Sequence, residues 1–160
     1  NSQYLHQMPA PKLVELLIPY WQEAGYQIDL KKERAWLESL TTLIAPSLNR
    51  LTDAVKESHL LFGESVEYGE EAIAFMQQEG VSEILKSITE AIQPQLTEVD
   101  AKGILKQVTK TYNVKQGLVM RSLRAALTGE MHGPDLVQSW LLLNQKELDK
   151  TRLQQALTKI

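Results

Sequence analysis

Apolar residues recur at intervals of three and four along most of the chain, and no stretch of useful length alternates apolar with polar residues. The first spacing is typical of amphipathic helices and the second of half-buried strands. We therefore predict an all-α protein. Glycine, proline and capping residues place the helices over about residues 11–24, 30–45, 48–62, a segment ending at 80, then 82–92, 97–112, 115–128, 135–143 and the C-terminal segment.

Polar residues before several of these segments predict how the helices begin. Asp29 is a predicted N-cap, and Thr97 with Asp100 matches a capping box. Asn144 with Glu147 is predicted to cap the last helix in the same way. These residue types supply side-chain oxygens for the backbone N–H groups that a helix leaves free in its first turn.

The segment "GESVEYG", residues 63–69, interrupts the helical pattern. It contains two glycines and has no sustained apolar period, so it is the best candidate for a boundary between two helical parts. We predict a first subdomain over residues 1–62 and a second over residues 63–160.

Composition narrows the possibilities further. The chain has 160 residues, 43% hydrophobic and 23% charged, which suits one compact domain or two small ones. It has no cysteine, which excludes disulfides, zinc-thiolate sites and thiol nucleophiles, and we expect a cytoplasmic protein. Its apolar runs are much shorter than the roughly 20 residues of a membrane span. Because residue 1 is asparagine, we expect a fragment of a longer protein.

No arrangement of residues predicts a catalytic or metal site. The histidines are scattered, no Ser–His–acid arrangement stands out, and no glycine-rich phosphate loop is present. Four glutamates cluster between Glu64 and Glu71, and we interpret them as solvated acids near a helix start. The three histidines are His6, His59 and His132.

Basic residues are segregated, although the net charge is −3. Between Ala101 and Gly129 every charged side chain is basic, so we expect these bases to have no acid to pair with, which favours an anionic partner. The members at every fourth position share one helix face, as either a solvated face or a row of phosphate contacts requires, and spacing alone does not decide. The candidate phosphate contacts are Lys102, Lys106, Lys110, Lys115 and Arg121.

Arg124 differs from the other basic residues. It lies one turn before a helix end, among the small and apolar residues of "SLRAALTG". A guanidinium there can present its planar donors to a nucleic-acid base or stack on one. The alternative is a structural arginine that bonds carbonyls at the helix C-terminus.

Four segments together resemble bacterial-type glutamyl-tRNA synthetase, a class I aminoacyl-tRNA synthetase. They are "NSQYLHQM" at residues 1–8, "SLRAALTG" at 122–129, "GPDL" at 133–136 and "RLQQAL" at 152–157. The resemblance covers essentially the whole chain and implies the C-terminal anticodon-binding domain, an α-helix cage of two helical subdomains. Residues 1–62 would form the stem/anticodon side and residues 63–160 the second anticodon-binding subdomain.

The resemblance also implies what the chain lacks. The family's elements for ATP, glutamate and the signature loop lie upstream, so we expect no catalytic residue and no cofactor in this fragment. ATP and magnesium would be held by the missing catalytic half of an ATP-dependent glutamate–tRNA ligase. The expected partner is glutamate tRNA, with no membrane contact, and we expect a monomer.

The resemblance assigns anticodon contacts to particular positions. In the family, the arginine at the position of Arg124 contacts the anticodon, and residues matching Gly133, Pro134 and Leu136 line the same base pocket. Some relatives have a threonine where Gly133 stands, so this chain offers no hydroxyl there.

Ser47 departs from the family pattern. Discriminating members carry an arginine directly after the proline that matches Pro46, and that arginine recognises the third anticodon base. This base is cytosine in glutamate tRNA and guanine in glutamine tRNA. Serine is short and uncharged and tolerates either base. We therefore predict that the parent enzyme is non-discriminating and also charges glutamine tRNA with glutamate.

A second hypothesis is a helical protein–protein interaction module. The apolar "WLLL" that begins at Trp140 would dock a partner helix, unless these side chains are simply core. RNA binding should weaken steeply with salt, whereas docking in an apolar groove should not. An unfamiliar helical enzyme is a third hypothesis, and it lacks a supporting group of residues.

Overall fold

The computed structural model describes residues 2–160, and over this range the chain is all-α, as predicted. Contacts between Cα atoms divide the chain into two compact units that meet in sequence between Phe62 and Gly63. The described helices are α1 (Ser2–Gln7), α2 (Ala10–Glu23), α3 (Leu30–Ile44), α4 (Asp53–Ser58), α5 (Glu70–Met76), α6 (Val81–Ala91), α7 (Glu98–Tyr112), α8 (Gln116–Thr128), α9 (Leu136–Gln145) and α10 (Asp149–Leu157), with 3-10 turns at Ala45–Ser47 and His59–Leu61.

The first unit packs α2, α3 and α4 around the buried Trp21. The indole N–H of Trp21 donates to Ser58 Oγ at 2.9 Å, so the one polar atom of this ring is satisfied inside the core. Asp29 caps α3 as predicted, because its carboxylate accepts the N–H groups of Lys31 and Lys32. Among the other buried side chains are Leu13, Val14, Leu17, Leu37, Leu40, Ile44 and Leu48.

The prediction of one helix over residues 48–62 is wrong. Residues 48–52 are not helical, and α4 covers only Asp53–Ser58. The Asp53 carboxylate accepts the N–H of Asn49 at 3.1 Å and that of Arg50 at 3.0 Å, which holds the chain in a turn before the helix starts. Hydrogen bonds from the Arg50 and Asn49 backbone also lower the pKa of Asp53. A local side-chain bond therefore competes with helix formation here.

In the second unit, α8 contacts α5, α6, α7, α9 and α10. Ala125 and Ala126 of α8 are fully buried, and their small side chains let neighbouring helices approach closely. The predicted capping box of α7 is confirmed, since Asp100 N donates to Thr97 Oγ1 and Thr97 N donates to the Asp100 carboxylate, each at 3.1 Å. The contacts of α8 with five other helices make it the central helix of the unit.

The predicted cap of the last helix is also wrong. Asn144 lies inside α9 and is buried, and its amide donates to Gln93 O at 3.0 Å and to Asp149 Oδ2 at 2.9 Å. Its Oδ1 accepts the Leu96 N–H at 2.9 Å. Asn144 therefore does not cap the last helix: α9 runs to Gln145, and α10 begins only at Asp149. No helix in the described range is long and apolar enough to cross a bilayer.

Candidate nucleic-acid interface

Arg124 joins the end of α8 to the connection between α8 and α9. We call residues 130–135 of this connection the corner. Arg124 Nη1 donates to Pro134 O at 2.9 Å, and the side chain is half-buried. Burial lowers the pKa of Arg124, and the neighbouring Asp135 carboxylate acts in the opposite direction. The guanidinium keeps its charge because the pKa of arginine is far above neutrality, and the Pro134 bond takes only one of its five N–H donors.

The other predicted residues of this site differ in exposure. Gly133 is exposed, Pro134 is partly exposed, and Leu136 is only 3% exposed. Asp135 caps α9 by accepting the Gln138 N–H at 3.0 Å, which fixes the chain direction as it leaves the corner. The structure therefore places Gly133 and Pro134 at the surface beside Arg124 and puts Leu136 in the core, where it supports the corner. Their contacts with RNA stay predictions.

A buried guanidinium, that of Arg152, also makes a hydrogen bond at the C-terminal end of α8. Arg152 of α10 is 1% exposed and donates to Leu127 O at 2.8 Å and to Gly63 O at 2.7 Å. Burial lowers its pKa. Arg152 thus satisfies a carbonyl in the last turn of α8 and anchors the start of the 63–69 segment.

The Tyr68 hydroxyl bonds the 63–69 segment directly to α8 and α10. Its hydroxyl lies 2.8 Å from Ala126 O and 3.0 Å from Arg152 O, so a single hydrogen is shared between two carbonyls. Burial raises the pKa of Tyr68 to about 12. The neutral hydroxyl is the form that donates, so the site favours the protonated tyrosine.

The remaining contacts of the 63–69 segment are made through backbone groups. Gln155 donates to Val66 O at 2.9 Å and accepts the Val66 N–H at 3.0 Å. Gly69 N donates to Gly129 O at 2.9 Å. Gly129 has φ of 75°, and a Cβ atom there would clash with Glu67 O, so only glycine fits this helix end.

Sequence patterns did not predict this network. Arg152 and Gln155 belong to "RLQQAL", which carried only a resemblance to a family. Their partners lie 89 residues away in the chain, at Gly63 and Val66. The one available signal was an arginine within a segment that otherwise carries core-spaced apolar residues.

The five candidate phosphate contacts are all exposed, but two of them have partners within the chain. Lys102 Nζ lies 3.2 Å from Glu98 Oε1, so the expectation that the basic run has no acid to pair with is wrong for Lys102. Glu98 stands just before Ala101, where the basic run begins. Arg121 donates to Gly117 O at 3.2 Å, and its guanidinium carbon lies 5.6 Å from the centre of the Phe75 ring.

Ser47 lies in the first unit, exposed at the end of the 3-10 turn Ala45–Ser47. A cleft of about 370 Å³ adjoins this turn, and Pro46, Met8 and His6 are among the residues that line it. No lysine, arginine, aspartate or glutamate is among its lining residues. Arg50 is 81% exposed at its side chain and lies 3.8 Å from Asp53 Oδ1, outside the cleft lining.

The sequence of the chain matches that of a known protein family. Residues 12–157 match the sequence profile of the family described as the anticodon binding domain. The chain belongs to this family. Its anticodon-binding domain is similar to parts of proteins named glutamate–tRNA ligase, with 62% identity over 160 residues to that of Crocosphaera subtropica and 58% over 160 residues to that of Nostoc punctiforme. In both matches, 99% of this chain aligns with 33% of the relative, so the chain spans about a third of their length.

Two solved structures share the fold of this anticodon-binding domain, and at their low sequence identity they show the fold alone. A glutamate tRNA ligase from Elizabethkingia meningosepticum superposes with a TM-score of 0.86 at 19% identity, over 99% of this chain and 31% of that chain. A glutamate-tRNA synthetase from Elizabethkingia anophelis gives 0.84 at 16% identity, over 99% and 30%. A shared fold does not by itself assign residue roles.

The surface on which the interaction-module hypothesis rested is not a surface in this anticodon-binding domain. Trp140 and Leu143 are fully buried and Leu142 is 3% exposed. The Trp140 indole donates to the buried Asp149 carboxylate at 3.0 Å. Leu141 is partly exposed, and the other three side chains of "WLLL" are core. In the described range, no group of three or more histidines and carboxylates is placed to hold a metal ion.

Proposed function

We propose that this chain is the anticodon-binding part of a glutamate–tRNA ligase and that its partner is the anticodon loop of tRNA. The observation that carries this proposal is the family match over residues 12–157. The relatives named glutamate–tRNA ligase are about three times as long as the chain. ATP-dependent attachment of glutamate, with its ATP and magnesium, therefore belongs to the part of the parent outside this chain. We further propose a cytoplasmic monomer.

Arg124 is the proposed centre of anticodon recognition. The bond to Pro134 O fixes its guanidinium at the edge of the corner, where Gly133 is exposed and offers no side chain to obstruct a base. Bases of a single-stranded loop are unstacked, so their edges and faces are accessible to a planar donor such as arginine. An arginine held by a neighbouring carbonyl loses less freedom when it binds.

Anticodon binding serves the reaction at a distance. Energy gained at the loop orients the acceptor end of the tRNA in the catalytic part of the parent. The domain thus contributes to selectivity without touching the reacting atoms.

The proposed selectivity is relaxed, and the argument rests on Ser47. Glutamate and glutamine tRNAs share the second anticodon base and overlap at the first, so the third base, cytosine or guanine, separates them. An arginine beside the cleft would bond cytosine and would be left poorly paired by guanine. Ser47 supplies no charge, and no lysine, arginine, aspartate or glutamate of the described residues lines the cleft. We propose that the parent charges both tRNAs.

A binding titration tests the first proposal. The chain is titrated with tRNA carrying a glutamate anticodon and with the same tRNA carrying a scrambled loop. We expect tighter binding to the glutamate anticodon, with affinity that falls steeply as salt rises. Equal affinity for both loops would contradict the proposal that this chain recognises the anticodon.

An aminoacylation assay tests the second. The intact parent is compared on glutamate and glutamine tRNAs, and Ser47→Arg is assayed beside it. We expect the native enzyme to charge both tRNAs and Ser47→Arg to lose activity mainly with glutamine tRNA. Ser65→Arg adds the same charge at an exposed position of the second unit and should leave the activity with glutamate tRNA relative to glutamine tRNA unchanged. A strong native preference for glutamate tRNA, or a folded Ser47→Arg without added selectivity, would contradict the proposal.

A further inference from the structure

Gly103 lies in the middle of α7, where no contact within the described chain explains why the residue is glycine. It is exposed, and outside the helix's own backbone no described atom lies within 4 Å of the position that a Cβ would take. Glycine in a helix interior is destabilising relative to alanine. No neighbouring element needs this position to lack a side chain, so the space above Gly103 is open to a molecule from outside.

A groove between α6 and α7 opens at this glycine. We call it the α6–α7 groove, and its volume is about 490 Å³. Val99, Ile104 and Ala91 give it apolar surface, and Val99 is 80% exposed. A bond of 2.6 Å between Ser87 Oγ and Tyr112 Oη ties the two helices together, so the groove is formed before anything binds.

Polar groups along the groove are suited to a hydroxylated ligand. Gln107 and Thr111 line it, and Gln107 Nε2 donates to Thr111 Oγ1 at 3.2 Å. An amide and a hydroxyl side by side can both donate and accept, as a ribose 2′-hydroxyl requires. Asp100, the one carboxylate in the lining, is engaged as an acceptor from Thr97 N in the capping box.

Positive charge stands directly beside Gly103. At about 100° per residue, Val99, Gly103, Lys106 and Lys110 fall within roughly 60° of one another around α7. Lys106 and Lys110 are exposed, and within the described range no carboxylate lies within 4.0 Å of either ammonium group. Lys102, which pairs with Glu98, stands at the far edge of this row.

We propose that the α6–α7 groove seats the ribose–phosphate backbone of the bound tRNA, with a ribose over Gly103 and its flanking phosphates at Lys106 and Lys110. The proposal rests on the proposed function, because it takes tRNA as the partner. Ribose packs on Val99 and Ile104, and its hydroxyl meets Gln107 and Thr111. The interaction carries no sequence information, so it adds affinity equally for every anticodon.

Two substitutions at Gly103 separate stability from binding. Gly103→Ala and Gly103→Gln should fold and raise Tm by a few degrees, because both residues favour helix and a Cβ at this position meets no neighbour. The same substitutions should weaken tRNA binding by the full 160-residue chain, by about tenfold for glutamine, because the RNA strand no longer reaches Lys106 and Lys110. The slope of log Kd against log salt should flatten by about one for each phosphate that is no longer bound by a lysine. Ala74→Gln places the same side chain on an exposed position of α5 and should leave binding unchanged.

The outcomes distinguish this inference from the function on which it rests. Wild-type affinity and salt slope in Gly103→Gln would overturn the inference and would leave the groove to a protein helix or to nothing. A loss confined to the glutamate anticodon, absent with the scrambled loop, would also overturn it, since backbone contacts do not depend on base identity. If the unmodified chain binds no tRNA at any salt, the proposed function fails and the inference with it.

Discussion

Two arginines make hydrogen bonds at the C-terminal end of α8, and their surroundings differ sharply. Arg152 is 1% exposed and bonds the carbonyls of Leu127 and Gly63. Arg124 is half-buried and bonds one carbonyl, that of Pro134. Both donate to backbone carbonyls near the end of α8, so hydrogen bonding alone does not distinguish them.

The difference in burial separates a structural role from a binding role. A buried guanidinium with carbonyls on two of its nitrogens cannot reach a ligand without unfolding its surroundings. A half-buried guanidinium with a single carbonyl partner keeps donors at the surface. The 63–69 segment, which Arg152 contacts, holds the end of α8 in place. The corner, which Arg124 contacts, leaves guanidinium donors of Arg124 at the surface.

The same substitution at both arginines should have its largest effect at Arg152. Arg152→Met keeps the apolar stem but leaves Leu127 O and Gly63 O without their donor. The buried Leu127 carbonyl costs about 1–3 kcal/mol when unsatisfied and the part-buried bond to Gly63 O contributes about 0.5–1.5 kcal/mol, so we expect about 1.5–4.5 kcal/mol lower free energy of unfolding. Denaturant unfolding measures it. A loss below about 1 kcal/mol would remove the structural role assigned to Arg152.

Arg124→Met should show the opposite balance. The free energy of unfolding should fall by no more than about 1 kcal/mol, because one partly exposed hydrogen bond is removed. Affinity for tRNA with the glutamate anticodon should fall by about 1–3 kcal/mol, with poorer discrimination against the scrambled loop. Unfolding and binding titrations on the same preparation test this. A large loss of stability with unchanged loop selectivity among folded molecules would make Arg124 structural as well.

Tyr68→Phe should have the smallest effect, about 1 kcal/mol, because it removes one hydroxyl shared between two carbonyls. It also changes the response to pH. Folding raises the pKa of Tyr68 from 10.0 to about 12, so its contribution is fully present below pH 10 and is lost as pH rises through 12. Stability measured between those values should fall less in Tyr68→Phe than in the native chain.

The pKa of Tyr26 in the first unit is also raised by burial, so part of that fall remains in Tyr68→Phe. Tyrosinate absorbance followed over the same range should lose its last-titrating group in the variant. If the most alkaline ionisation persists in Tyr68→Phe, the pKa assignment is wrong.

Features that depend on neighbours in the sequence could be predicted. The Asp29 cap, the Thr97–Asp100 capping box and the helix end at the left-handed Gly129 were all predicted from the sequence. Each is set by groups within a few residues, whose types determine the local hydrogen bonds and the allowed φ. The all-α class follows from the same local periodicity.

Local patterns also misled where a single nearby bond decided the outcome. Residues 48–52 have a helical apolar spacing, yet the Asp53 carboxylate captures two backbone N–H groups and holds a turn. Lys102 was predicted to lack an acidic partner because Glu98 precedes the basic run. The first error concerns short-range competition for backbone N–H groups, and the second concerns an ion pair with a residue just outside the basic run.

The sequence by itself therefore determined the helical class, the main helix ends and the isolated charge at Arg124. Tertiary structure alone decided that Asn144 is buried rather than a cap, that Trp140 is core rather than a docking surface, and that Arg152 binds Gly63 from 89 residues away. The physical reason is desolvation. Whether a polar or aromatic side chain is buried depends on which distant segments close over it, and the energy of its hydrogen bonds depends on that burial.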